Sequence, residues 1–330
     1  MPVTVPSRAD RTSPRNPDWR STAFVLLVVG AYCAGLWWLD RSNGTFQRLA
    51  SAWHWLPVAV LPVFATYLVR FWRWRWLLRR SGHSIPFAPG LCAYLAGFAL
   101  TATPGKAGEL LRIRYFGRMG VPSSETLAVF VFERACDLLV ILLLSLAAAR
   151  LFPGLAMLGS SVLSFVLLLF VAAQWRAMQG LLERAIAHVP LAWARRTGGF
   201  ALSATRALGR HLDVRALITS LGTGITAWSL TSAVFMGVCA GFGVGIDPLI
   251  AFGIYPLAML VGALSFVPGG IGTTELAIVL MLNRLGIGTP DALAVAVGTR
   301  LVSLWFAMGA GGIAVFLMER RGLQPAAAPR

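Results

Sequence analysis

PGKAGELLRIRYFGRMGVPSSETLAVFVFERACDL, residues 104–138, sets Glu109, Glu133, Arg134 and Asp137 inside or beside apolar runs. Charge at such positions is costly and usually functional. The segment also recurs. Residues 109–138 align without gaps on 275–304, with ten of thirty positions identical, among them Glu109/Glu275, Arg118/Arg284, Gly120/Gly286 and Arg134/Arg300. A two-residue slip upstream then pairs Pro104-Gly105 with Pro268-Gly269. Apolar helices match by chance, so the shared Glu, Arg and Pro-Gly positions carry the weight. They read as an internal duplication.

Composition supplies the setting. The chain of 330 residues is 57% hydrophobic and 13% charged, with a mean hydropathy of +0.71. Such values exclude an ordinary water-soluble domain and predict an all-α polytopic membrane protein. The net charge of +16 fits retention of Lys and Arg on the cytoplasmic side, and nucleic acid is not expected as a partner. Only one of the 29 basic residues is a lysine, Lys106. The four cysteines lie in apolar segments without metal-type spacing and read as packing residues.

Working outward, residues 1–20 form a polar tail and 21–39 a first span. A second span from about residue 56 runs into RFWRWRWLLRR, residues 70–80. Its tryptophans suit an interfacial belt with arginines at a cytoplasmic end; the alternative is that Arg70, Arg73 and Arg75 grip lipid phosphates. The apolar run 86–103 stops at Pro104-Gly105, and a short helix follows to about residue 118. Residues 125–149 and 155–173 are spans. Residues 176–215 form a basic amphipathic linker, expected to break near Pro190 and Gly198-Gly199. A second repeat covers 216–318, with a break at FVPGGIGTTE inside 248–285, and 319–330 is a tail.

The distribution of arginines puts both termini, 70–80, 106–118 and the linker on the cytoplasmic side. If both Pro-Gly-broken segments are re-entrant hairpins (about 86–118 and 248–285), the repeats 21–175 and 216–318 run in opposite directions. The expected plan is therefore an inverted-topology repeat of about six full spans plus two hairpins. Ten full crossings satisfy the same charge pattern.

Irregular backbone at membrane depth is tolerable only against protein or a watery cavity. Gly105, Gly108, Gly269, Gly270 and Gly272 permit close approach to the backbone, Thr273 and Thr274 add hydroxyls, and the helix starts favour anions. Arg134 and Arg300 each fall about nine residues into a span, on the order of 13 Å deep. Their natural partners are Glu109 and Glu275, with Glu133 and Asp137 at i, i+4 on one face. These groups are either structural ion pairs or a seat for an anionic headgroup; both can hold at once. No Walker, G-x-S-x-G, H-E-x-x-H or Cys/His metal pattern is present, so neither enzyme activity nor a cofactor or metal is expected. The four histidines read as surface residues.

PGKAGELLR (104–112), FERACDLL (132–139), VPGGIGTTE (267–275) and TRLVSLW (299–305) together resemble the lysylphosphatidylglycerol synthase transmembrane family, over about residues 20–318. That resemblance implies a flippase-like protein of a bacterial or archaeal cytoplasmic (inner) membrane, handling aminoacylated or otherwise modified lipids. Lys106, Gly108, Glu109, Arg112, Glu133, Arg134, Asp137, Gly269, Gly270, Glu275 and Arg300 match its motifs. Bifunctional members continue into an aminoacyl-transferase domain; this sequence ends at Arg330, so lysyl transfer is not expected. The expected function is translocation or handling of an anionic or isoprenoid-linked lipid. Alternatives are proton-coupled transport of a soluble anion, or partnership with a membrane glycosyltransferase or lipid-modifying enzyme.

Overall fold

The computed structural model describes residues 44–52, 56–101, 111–151, 154–189 and 191–320, with isolated positions before them. Lys106, Gly108, Glu109, both tails and most of the 21–39 segment lie outside the described residues. The described chain is helical: α1 (Thr45–Ala52), α2 (Leu56–Arg80), α3 (Phe87–Ala96), α4 (Leu111–Gly117), α5 (Ser123–Ser145), α6 (Leu155–Gln174), α7 (Arg176–Ala187), α8 (Ala192–His211), α9 (Val214–Gly241), α10 (Pro248–Leu264), α11 (Thr273–Arg284), α12 (Thr289–Arg300) and α13 (Phe306–Arg320). A single wide π turn, Leu301–Trp305, joins α12 to α13.

Local chemistry starts the long helices. Asp213 caps α9 by accepting from the Ala216 N–H, and Asp247 caps α10 by accepting from Leu249 and Ile250, with Pro248 in the first turn. Helix α9 is the hub, packed on α2, α5, α10 and α12, while α13 packs on α3. Small residues let these helices close up. A Cβ on Gly253 of α10 would lie 2.9 Å from the Ala148 nitrogen. Large apolar side chains such as Leu61, Leu168, Ile218 and Phe266 face outward and exposed. An apolar exterior of this extent is the surface of an integral membrane protein.

Among the described residues, two helical stretches, Val214–Gly241 and Thr289–Arg320, are long and apolar enough throughout to cross a membrane. At 23 residues, α5 is about 35 Å long, but it carries Glu133, Arg134 and Asp137. Helices α10 and α11 pack against each other across the Ser265–Gly272 break, as α3 and α4 do in the first half.

The two aligned segments share a turn. Gly120 and Gly286 both have positive φ, 82° and 83°, and the amides around them close on Phe116 and Gly117, and on Leu282 and Asn283, in the same pattern. Gly82 and Gly243 end other helices similarly, so this cap alone does not mark a repeat.

The basic linker departs from expectation in one respect. The chain bends by 76° between Gly159–Gln174 and Gln179–Ala187, and α7 and α8 separate near Pro190, but α8 runs unbroken through Gly198-Gly199. A Cβ on Gly198 would sit 3.1 Å from the Ile186 side chain. The glycine marks the close approach of α7 to α8, and its packing outweighs its low helix propensity.

Candidate functional site

Arg70, Arg73, Trp74 and Leu77 fall on one face of α2, at i, i+3, i+4 and i+7. Trp74 and Arg73 are fully buried, whereas Trp72 on the opposite face is half exposed. An interfacial belt therefore accounts for Trp72 but not for Trp74 or Arg73. The alternation of Arg and Trp hides a helical period: two basic positions point into the protein.

Their partners are on α5. Arg73 donates to Glu133 at 2.7 Å, to Asp137 at 2.9 Å and to the Ser220 carbonyl at 3.1 Å. Arg70 donates to Asp137 at 2.6 Å. Arg134 lies 3.5 Å from Glu133 and 3.3 Å from Asp137. Gly224 of α9 admits this cluster, since a Cβ there would meet Val140 at 3.1 Å and Arg73 at 3.3 Å. The Glu133/Asp137 face read from the sequence is thus an anionic clamp on α2, and Arg70 and Arg73 were the missing cations. Their spacing along α2 was the available signal.

Arg112, expected among the ligand-contacting residues, is instead buried. Its Nε donates to the Tyr94 carbonyl at 3.1 Å, its guanidinium lies 3.7 Å from the Tyr94 ring centroid and 4.9 Å from that of Trp74, and Glu133 is 3.7 Å away. Stacked in this way it ties α4 to α3 and α5 and does not line the cavities described below. Lys106, Gly108 and Glu109, and with Glu109 its expected pairing to Arg134, lie outside the described residues.

The second break is fully drawn. Gly269 and Gly270 take φ of 62° and 63°, a conformation open to glycine. The Gly269 carbonyl thereby accepts from Arg300 Nη2 at 2.6 Å, and Arg300 Nε donates to Glu275 at 3.1 Å. The other Glu275 oxygen accepts from the Gly272 N–H at 2.9 Å. The start of α11 is therefore capped by its own glutamate, which removes part of the anion-binding capacity expected of that helix terminus. Thr273 is also taken up locally, 3.0 Å from the Ser265 hydroxyl and donating to Gly270 O at 3.2 Å. Thr274 is buried against Gly262 and Gly270.

Two cavities meet at this centre. The smaller, about 130 Å³, lies among α2, α9, α10 and the π turn, and Arg70, Arg134 and Arg300 line it. Ser303 and Leu304 of the π turn contribute to its wall; such widened turns recur at functional sites. The larger, about 510 Å³, is walled by Phe130, Leu138, Ile141, Phe165, Phe266 and Val267, with Arg134 and Asp137 at its polar end. Arg134, Trp228, Met259 and Gly269 line both, so the two cavities adjoin. Phe165 and Phe266 are 62% and 80% exposed, and the larger chamber opens between them onto the apolar exterior.

A further cluster was not legible. His211, expected on the surface, is buried, with Nε2 2.8 Å from Glu125, itself buried at the start of α5 and also paired with Arg210. Helix α8 docks on α5 through these contacts.

A family model described as the lysylphosphatidylglycerol synthase TM region matches residues 22–311. The chain belongs to that family. A UPF0104 membrane protein of Methanothermobacter thermautotrophicus is 24% identical over 314 residues, covering 88% of this chain and 91% of the relative. Within the family match lie both broken segments, the α2 arginines and the whole two-chambered cleft.

Proposed function

We propose that this member of the lysylphosphatidylglycerol synthase TM region family moves or handles a lipid, holding its anionic headgroup at Arg70, Arg134 and Arg300. The observation that carries the reading is the two-chambered cleft. Three guanidiniums line a small chamber, and a larger apolar one with exposed Phe165 and Phe266 in its wall adjoins it. A soluble anion has no use for the apolar chamber, whereas a lipid tail fills it or passes through it while the headgroup is held. Arginine suits the task because its charge persists when buried and its fork matches phosphate oxygens.

In this reading the carboxylates position the cations. Glu133 and Asp137 hold Arg70, Arg73 and Arg134, and Glu275 holds Arg300, so the guanidiniums stay ordered with the cleft empty. The two broken segments act as re-entrant hairpins of an inverted repeat, and both termini are cytoplasmic.

The test is leaflet exchange of tail-labelled lipids in vesicles containing the purified protein. Wild type is expected to accelerate exchange, and Arg134→Ala and Arg300→Ala to abolish it while remaining inserted and folded. Undiminished exchange in both variants refutes the assignment.

A further inference from the structure

We infer that the two aligned segments belong to larger, two-fold-related halves, α1–α5 and α8–α12, and that the second half carries the moving part. Helix α12 swings on its π turn and parts from α9 to pass the headgroup, while α2 and α5 stay fixed. The inference rests on the lipid-handling reading and says how that site opens.

The extent of the halves comes first. Helix α2 ends at Arg80 and α9 at Gly241, 161 residues on; α3 begins at Phe87 and α10 at Pro248, again 161 on. Helices α5 and α12 begin at Ser123 and Thr289, 166 apart. Between the first pairs the chain turns alike. Gly82 and Gly243 both have positive φ and donate to the Arg79 and Ala240 carbonyls, while His83 and Val244 donate to those of Leu78 and Cys239. Side chains keep the same offset: Trp74 packs on Tyr94 with ring centroids 5.7 Å apart, and Phe235 on Tyr255 at 5.8 Å. Contacts between the halves are reciprocal, as a two-fold relation requires. Glu125 at the start of α5 meets Arg210 of α8, and its counterpart Asp291 at the start of α12 meets Arg48 of α1.

One contact breaks the equivalence. Arg70 and Arg73 of α2 are clamped by Glu133 and Asp137 of α5. The counterpart positions are Thr231 and Val234 on α9, and Thr299 and Ser303 on α12 and its turn. Those three hydroxyls donate to carbonyls one turn back on their own segments, at 2.7–2.8 Å. They hold nothing across the contact, where Val238 and Phe242 of α9 lie against Gly298 of α12. Parting α2 from α5 strands buried charges, which is strongly destabilising. Parting α9 from α12 exchanges apolar contacts for lipid ones and leaves those hydroxyls bonded as before.

The π turn is the second observation. Leu301–Trp305 is the counterpart of residues 135–139, which are regular α-helix inside α5. Such turns are places where helices bend. Ser303 and Leu304 of the turn line the small chamber beside Arg300, so a swing there widens it. The Arg300–Glu275 pair carries α11 along with α12. The Arg48–Asp291 pair at the far end of α12 is exposed and resists little.

The experiment measures distances between paired spin labels by pulsed electron resonance on the full-length protein in phosphatidylcholine nanodiscs, with its four native cysteines replaced by alanine. One pair is Arg79→Cys with Ser123→Cys, at the end of α2 and the start of α5. The other is its counterpart, Ala240→Cys with Thr289→Cys, on α9 and α12. All four positions are exposed. The 12 residues of α12 span about 18 Å, so a tilt of about 15° at the turn displaces Thr289 by roughly 5 Å. The α2/α5 pair is expected to give one narrow distance. The α9/α12 pair is expected to give two, in a ratio that added dioleoyl phosphatidylglycerol shifts. Val234→Arg with Thr299→Glu builds the missing clamp, and is expected to leave one α9/α12 distance and slow leaflet exchange about tenfold. The comparison of the two label pairs needs no clamp variant. A single unchanging distance for both pairs, or movement confined to α2/α5, in protein that exchanges lipid overturns the inference and leaves the lipid reading standing. Undiminished exchange in a clamped, folded protein refutes the swing as the gate. Two α9/α12 distances in protein that exchanges no lipid uphold the hinge and refute the lipid reading.

Discussion

Arg73→Met separates the two roles that charged residues play here. Arg73 is wholly buried and bonded to Glu133, Asp137 and the Ser220 carbonyl. Methionine fills much of its volume and removes the charge, leaving two buried carboxylates short of a cation. Breaking a buried pair by removing one partner costs about 3–5 kcal/mol. Arg70, Arg112 and Arg134 remain within reach of the same carboxylates, so the lower end, about 3 kcal/mol, is expected. Scaled from soluble domains to a chain of 330 residues, that lowers the melting temperature by about 4 °C. Cys136, buried on α5 between Glu133 and Asp137, reports the transition through a thiol-reactive dye. Adding Glu133→Gln removes the stranded charge, and the double variant is expected to recover about 1 kcal/mol relative to additivity. A melting temperature for Arg73→Met within about 2 °C of wild type refutes the view that this arginine holds α2 to α5.

Further outcomes follow from the same contacts. Gly262→Ala places a Cβ in collision with Thr274 Oγ1 and is expected to cost about 1–3 kcal/mol by overpacking. Adding Thr274→Ala should restore most of it in the same dye assay. Glu275→Ala leaves Arg300 without its carboxylate and α11 without its cap; a loss of about 3 kcal/mol or more is expected, with Glu275→Gln milder because its amide oxygen still accepts. His211→Ala removes a buried partner of Glu125 and is expected to loosen α8 from α5. Faster hydrogen exchange confined to 192–211 and the first turns of α5 would show it, and unchanged exchange there would refute the docking role.

Much of the fold was legible because its signals are local. Apolar runs and Pro-Gly breaks act through neighbouring backbone, and the Glu275–Arg300 pairing followed from their placement around a break. Arg73 and Arg112 were misjudged for a different reason. An arginine in an aromatic run reads the same whether its helix faces lipid headgroups or other helices; the pairing of α2 with α5 and α9 decides which. His211 likewise gave no sign in a basic linker until α8 lay against Glu125.

By itself, then, the sequence determined an all-helical membrane chain, the break at Pro268-Gly269, and which charges sit at unfavourable places, because hydropathy, proline and glycine act over a few residues. Only the tertiary structure decided which charges are structural and which reach the cleft. That division depends on contacts between residues 60 or more apart, such as Arg73 with Glu133. It also depends on small residues such as Gly224 that set how closely two helices approach, and no local pattern encodes that distance.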